Sequence, residues 1–362
     1  MSAADVQVTE GAELSAFYRN LAAAELQPLW TQGRSLQPFE PAPATRVHLW
    51  SGAAVRELAV ESGRLIGLDG GGDRRVLSLA NPGLGGQPYA TSTLWAAVQY
   101  LGPRESAPAH RHSQAALRFV LEGSGTWTTV DGDACDMEPG DLVLTPAWTW
   151  HDHTNGGDQP MMWFDGLDMP LVNMLDAQFF ERYAADRQPV SGHNLSAAAY
   201  EGDADGLADL ARPPSDEESF SPLFVYRWER TDRELAGRLA VSASGAAELD
   251  FVSPLTGRAV LPTLGCHMTR LAAAAATAPR RKVGSSVYVA WAGEGRSVID
   301  GTELTWRAGD FFCSPSWAYV EHHAVAPSDL FELSDRPALE ALHLFRQETA
   351  GSPQVIHRRL GR

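Results

Sequence analysis

The chain has 362 residues and a formal charge of −16, with 45 acidic side chains against 29 Lys and Arg. Such an excess of acid argues against a nucleic-acid partner, whose phosphates need a basic face, and against anionic membrane surfaces. No apolar run approaches the roughly 20 residues that cross a bilayer, and Met1 to Val6 form neither a basic nor an apolar signal region. Cys135, Cys266 and Cys313 include no CxxC pair. They read as buried reduced thiols, so the expected location is cytoplasmic.

Residues 1–70 read as an N-terminal helical arm. Leu14, Phe17, Tyr18 and Leu21 recur at helical spacing, Ala22 to Leu26 extends the pattern, and Pro28 ends or bends it. Such a stripe is either core or a surface that packs across a subunit boundary. A second helical stretch is expected near Ala53 to Leu68. Residues 71–184 form a first barrel, with strands at Arg75 to Ala80 and Thr93 to Leu101 and a helix over Leu171 to Tyr183. Residues 185–250 form a linker with helices, including one from Thr231 to Leu239 with Thr231 as its N-cap and Glu234 three residues on. Residues 251–347 form a second barrel and 348–362 a tail.

The most informative stretch runs from His110 to Asn155. Glycine turns at Gly123-Ser124-Gly125, Asp131-Gly132 and Pro139-Gly140-Asp141 cut it into strand-length pieces. Residues two apart on a strand share a face. His110 and His112 therefore project together while Arg111 faces away, and His151 and His153 repeat the arrangement. Antiparallel strands curled into a small barrel can bring both pairs to one interior spot, which points to a metal.

The second half repeats the first. Gly123-Ser124-Gly125 recurs as Gly293-Glu294-Gly295, Asp131-Gly132 as Asp300-Gly301, and Pro146-Ala147-Trp148 as Pro315-Ser316-Trp317. The ligand positions are not kept. His110 and His112 map to Arg280 and Lys282, and His151 maps to Val320. The second barrel is therefore expected to be structural and metal-free, with His322-His323 as a surface strand end.

Gly140, Pro146, His151 and Asn155 resemble the second cupin motif, with Trp148 where that motif has Gly. Most metal cupins place a Glu four or five residues after the second His of the first motif. Here those positions hold Ala116 and Leu117, so the expected ligands are three neutral histidines, His110, His112 and His151. Three ligands on one side leave about three positions of a six-coordinate ion open.

Thr93-Leu94-Trp95-Ala96-Ala97-Val98-Gln99-Tyr100-Leu101-Gly102-Pro103-Arg104-Glu105, Asn81-Pro82-Gly83-Leu84 and the block from His110 to Asp165 together resemble the gentisate 1,2-dioxygenase family. That family includes relatives acting on salicylate and 1-hydroxy-2-naphthoate, and the likeness runs from about Leu14 to Phe345. It implies a mainly β bicupin of two double-stranded β-helix (jelly-roll) barrels, with the helical arm and helical linker. It also implies a homotetramer, one Fe(II) per subunit in the first barrel, and O2 as co-substrate. The reaction opens the ring of an aromatic ortho-hydroxy carboxylic acid between C1 and C2; gentisate would give maleylpyruvate. Two other classes stay open: a different metal cupin enzyme, which should carry the Glu ligand, and a non-catalytic bicupin, which should lose the metal residues in both barrels.

Arg118 lies on the metal face by parity, and a guanidinium inside a barrel needs an anion. That anion is the substrate carboxylate or, within the chain, Asp165 or Glu122. His153 is a candidate to hydrogen-bond a ring hydroxyl and move a proton, or a structural neighbour of the ligands. Asp165 would fix the His153 tautomer or accept from a ring hydroxyl. Trp95 and Gln99 line the pocket or belong to the core. Ala97, small and on the same face, helps set which ring fits. The resemblance favours Arg74 over Arg75 as a second anion contact. Trp148, Trp150 and Trp163 build the barrel wall.

Overall fold

The computed structural model describes residues 11–67, 75–200, 207–208 and 220–361. Arg74 lies outside the described residues, as does most of the polar stretch 201–219. Among the described residues no helix is long and apolar enough to cross a membrane.

Residues up to Ala42 form a unit of their own. Its helix Ala12–Ala23 buries none of its residues, so the expected apolar stripe is not core. Trp30 instead stacks on Phe17 at 6.4 Å and donates from Nε1 to the Tyr18 hydroxyl at 3.2 Å. The expected arm 1–70 is too long. Strand His48–Trp50 pairs with Phe311 to Cys313. The next helix, Gly52–Leu65, buries Ala59 and Ser62.

The first barrel is two facing six-stranded sheets. One runs Val225–Tyr226, Leu142–Thr145, Ala116–Glu122, Met161–Leu167, Trp95–Leu101 and Val76–Ser78 in spatial order. The other runs Phe180–Arg182, Ser106–His112, His151–Asn155, Thr126–Val130, Asp133–Met137 and Gly192–His193. Period-2 alternation divides each strand of the first sheet. Leu117, Phe119 and Phe164 face the second barrel, while Val120 and Trp163 face inward. The second barrel repeats the plan with a seven-stranded and a six-stranded sheet. The two inner sheets share one apolar core, in which Phe119 stacks on Phe331 at 4.4 Å. Burying faces of this size is the main favourable term holding the barrels together.

Three further expectations are corrected. The apolar run Leu171 to Tyr183 is not one helix. The helix is Met169–Met174, Asp176 turns out of it with φ 53°, and Phe180–Arg182 is a strand paired with His110 to His112. The helix expected from Thr231 starts at Trp228, whose N–H donates to Asp141 Oδ1 at 2.8 Å; Thr231 donates to the Arg227 carbonyl from inside it. Nor are 185–250 and 348–362 only linker and tail. Val225–Tyr226 joins the first barrel, Ala246–Phe251 the second, and Gln347–Thr349 and Arg358–Arg359 edge the second barrel's outer sheet.

Candidate active site

The first barrel divides its labour between its sheets. His110, His112 and His151 sit on adjacent strands of the outer sheet, with His110 directly opposite His151. Their ligand atoms lie within 4.8 Å of one another. Each ring is oriented through Nδ1, which donates to a backbone carbonyl: His110 to Pro108 at 2.8 Å, His112 to Gln114 at 2.8 Å and His151 to Thr149 at 3.0 Å. A carbonyl oxygen only accepts, so all three Nδ1 atoms carry the proton and all three Nε2 atoms present a lone pair. His151 Nε2 is buried without a hydrogen-bond partner. Burial, reinforced by the neighbouring His110, His112 and Arg118, holds the His151 pKa well below its usual value, so the imidazole stays neutral. Neutral nitrogen donors aimed at one point suit a borderline divalent transition metal. Among the described residues no carboxylate joins the group.

The inner sheet carries the charged groups. Arg118 lies directly opposite Asp165, and Asp165 directly opposite Ala97. Arg118 faces inward, but not because parity carries over from His112: a turn separates the two strands, and Arg118 follows the inward face of Ala116–Glu122. Arg118 donates to Thr145 Oγ1 at 2.8 Å, while its Nε lies 3.4 Å from Asp165 Oδ1 and has no hydrogen-bond partner. Asp165 accepts from Trp163 Nε1 at 3.0 Å. Burial pushes the Asp165 carboxyl up to about 6, against the opposing pull of Arg118.

A cavity of about 350 Å³ lies between the sheets, within the range of small-molecule sites. Trp95, Gln99, His110, His112, Arg118, His153 and Asp165 all line it. Trp95 is held by its Nε1, which donates to Ser78 Oγ at 3.0 Å. Ala97 is fully buried between them and does not line the cavity, so it bears on the pocket only through Trp95, Gln99 and Asp165. Arg75 faces elsewhere. It pairs with Glu105 and caps the helix Gly52–Leu65 by donating to the carbonyls of Gly63 and Ile66.

Asp165 does not hold His153. Thr128 does, with Oγ1 2.8 Å from Nδ1, and burial beside Arg118 keeps this imidazole's pKa well below its usual value. Sequence reasoning also missed Gln114, Phe179 and Phe180, which line the same cavity. Gln114 is buried with its Nε2 unpaired, and Phe180 lies 5.2 Å from the His110 ring. Only the strand pairing of Phe180–Arg182 with the ligand strand brings the two phenylalanines there. Trp163 is wall, as expected, but also the donor to Asp165.

The second barrel has a cavity of its own, differently lined. Lys282 pairs with Glu332, His267 Nδ1 lies 2.9 Å from Asp250, and Arg280 lies 2.8 Å from Glu248. Its described residues bring no metal-binding group of His, Cys and acid together. His322 is not a surface residue; it is buried and lines this cavity.

Residues 97–167 match the model of the cupin domain. Gentisate 1,2-dioxygenase of Streptomyces sp is 44% identical over 93% of this chain and 96% of its own length. The chain belongs to the gentisate 1,2-dioxygenase family. Gentisate 1,2 dioxygenase 1 of Aquipseudomonas alcaligenes is 36% identical over 92% of this chain and 96% of its own. Salicylate 1,2-dioxygenase from Pseudoaminobacter salicylatoxidans, solved with gentisate, superposes with a TM-score of 0.88 at 40% identity, covering 97% of this chain and 98% of that one. The family's bicupin architecture is thus shared over nearly the whole length.

Proposed function

We propose that this protein is an Fe(II)-dependent dioxygenase that opens the ring of gentisate between C1 and C2 to give maleylpyruvate, consuming O2. The observation that carries the reading is the group of His110, His112 and His151, which no carboxylate joins among the described residues, with His110 and His112 lining one cavity with Arg118. Its relatives' names and the gentisate-bound neighbour support the substrate class.

His110, His112 and His151 hold the iron through Nε2. Fe(II) bound there supplies the one-electron link between a closed-shell ring and triplet O2. Arg118 binds the substrate carboxylate, which completes the hydrogen bonding of its unpaired Nε. Gln99 hydrogen-bonds the substrate and Trp95 packs on its ring. His153 takes the proton of a ring hydroxyl, and Asp165 counters the charge of Arg118 until substrate enters. Leu167, Met169, Phe179 and Phe180 wall the cavity and exclude water. The likeness to the family supports Arg74 as a second anion contact. The site works in a homotetramer, which the exposed apolar side chains Phe17, Leu26, Leu29 and Trp30 of the arm support. Three free buried cysteines support a cytoplasmic location.

The test is an oxygen-uptake assay of Fe(II)-loaded protein against gentisate, salicylate and 1-hydroxy-2-naphthoate, with ultraviolet detection of ring-opened product. Gentisate is expected to be turned over best. A preference for salicylate would favour the same ring opening on salicylate, a reading that the likeness to salicylate 1,2-dioxygenase supports. No uptake with any of them would remove the proposal.

A further inference from the structure

The two barrels hold one histidine alike and load it differently. His153 and His322 stand at matching places on strands His151–Asn155 and Val320–Ala324, each buried and each lining its own cavity. In both, Nδ1 turns to a hydroxyl on the neighbouring strand: Thr128 Oγ1 at 2.8 Å and Ser297 Oγ at 2.7 Å. Nε2, on the far edge of each ring, is therefore the atom that meets the cavity. A hydroxyl owns one proton, so whatever else it bonds decides which imidazole nitrogen carries hydrogen.

In the second barrel the other partner is Trp306, whose Nε1 donates to Ser297 Oγ at 2.9 Å. An indole N–H can only donate. Ser297 is fully buried, and among the described residues His322 Nδ1 is the one other atom in hydrogen-bond contact with its hydroxyl, so the Ser297 proton has no other acceptor; it goes to Nδ1, and His322 shows an N–H to its cavity. In the first barrel the corresponding strand, Asp133–Met137, supplies Met137. Its Sδ lies 3.1 Å from Thr128 Oγ1. A thioether has no proton and can only accept. At that separation two sets of lone pairs would repel, so the Thr128 proton lies between oxygen and sulfur. Thr128 then offers His153 only a lone pair, and His153 Nδ1 must carry the hydrogen. Its Nε2 faces the cavity bare.

We infer that Met137, acting through Thr128, is a positioning residue that fixes His153 as a proton acceptor. The inference rests on the reading that His153 moves the ring-hydroxyl proton. The proton leaves the hydroxyl oxygen for His153 Nε2 while Nδ1–H stays on Thr128, and it is handed back to the ring-opened product. Met137, fully buried, touches neither the cavity nor the metal ligands in this scheme. The second barrel, with Trp306 in place of Met137, holds the opposite tautomer and cannot do this step.

Neutron diffraction from deuterium-exchanged crystals of the Zn(II)-loaded protein reads both histidines at once. The expected result is deuterium on Nδ1 of His153 and on Nε2 of His322. Deuterium on Nε2 of His153 in the unaltered protein overturns the inference, and this measurement needs no variant. Met137→Leu removes the acceptor while keeping the bulk. It is expected to move the His153 deuterium to Nε2 and, in Fe(II) enzyme, to lower kcat about ten-fold with KM for gentisate and iron content unchanged. A Leu variant that keeps deuterium on Nδ1, or that loses iron or raises KM instead, contradicts it. If the deuterium sits as expected but no aromatic acid is turned over, the proposed function fails while the assignment of the proton stands.

Discussion

Arg118 and Asp165 oppose each other across neighbouring strands inside the first barrel, with Nε 3.4 Å from Oδ1 and no hydrogen bond between them. Both are almost fully buried. A buried pair this loose leaves part of its desolvation cost unrecovered. The geometry therefore suits a guanidinium held for an incoming anion better than a finished internal salt bridge. Arg118→Ala should retain iron but lose on the order of 10²-fold or more in kcat/KM for gentisate. Arg118→Lys should recover little, because an ammonium lacks the planar fork. Metal analysis beside steady-state kinetics checks both: wild-type kinetics in Arg118→Ala would remove the carboxylate role, and wild-type kinetics in Arg118→Lys would show that a point charge suffices there.

His112 and His153 lie in the same cavity but should behave as different kinds of residue. His112→Ala should lose the metal, since two neutral nitrogens remain of three. His153→Ala should keep it, because Thr128 and not the ion holds that ring. Its kcat should fall by about 10² or more, the usual cost of a lost general acid or base. Iron content by absorption spectroscopy distinguishes the two, and equal iron loss in both would merge their roles.

The grouping of His110, His112 and His151 was legible because the strand repeat of two and the doubled H-x-H pattern need no knowledge of distant contacts. The second barrel's altered interior could also be read from Arg280, Lys282 and Val320. What escaped depends on contacts distant in sequence. Thr128 in a β strand looks like any β-branched residue, and only strand pairing sets it against His153. The stretch Leu171 to Tyr183 is apolar enough for one helix, and the left-handed turn at Asp176 that releases Phe180 to the ligand strand has no glycine to announce it. The register that pairs Asp165 with Arg118 rather than with His153 likewise requires the sheet order.

Phe180 is one such late arrival. Its ring lies 5.2 Å from that of His110 and it remains 44% exposed at the cavity mouth. Phe180→Ala should leave iron content intact and raise KM for gentisate by up to about ten-fold, the worth of one aromatic contact. An unchanged KM would place Phe180 outside the substrate's reach.

The barrels are also joined by a pair of matching bonds. Thr263 donates to Asp168 of the first barrel, and Thr93 donates to Asp335 of the second. Burial raises both carboxyls, that of Asp168 to about 6. A raised carboxyl binds its proton more tightly folded than unfolded, so its contribution to stability is present below the unfolded value near 4 and falls as pH rises toward 6. Asp168→Asn removes that titration. Relative to wild type, the variant should therefore be more stable at pH 7 than at pH 5, by on the order of 1 kcal/mol or more. Urea unfolding at the two pH values measures this, and a pH-independent difference would show that Asp168 does not titrate in this window.

Metal removal and reloading test the proposed chemistry most directly. Protein stripped by chelator and reloaded with Fe(II) to one ion per chain should consume one O2 for each gentisate, with activity absent before reloading and not restored by Zn(II). Gentisate-dependent oxygen uptake by the fully stripped protein, or none after the Fe(II) site is filled, would contradict it.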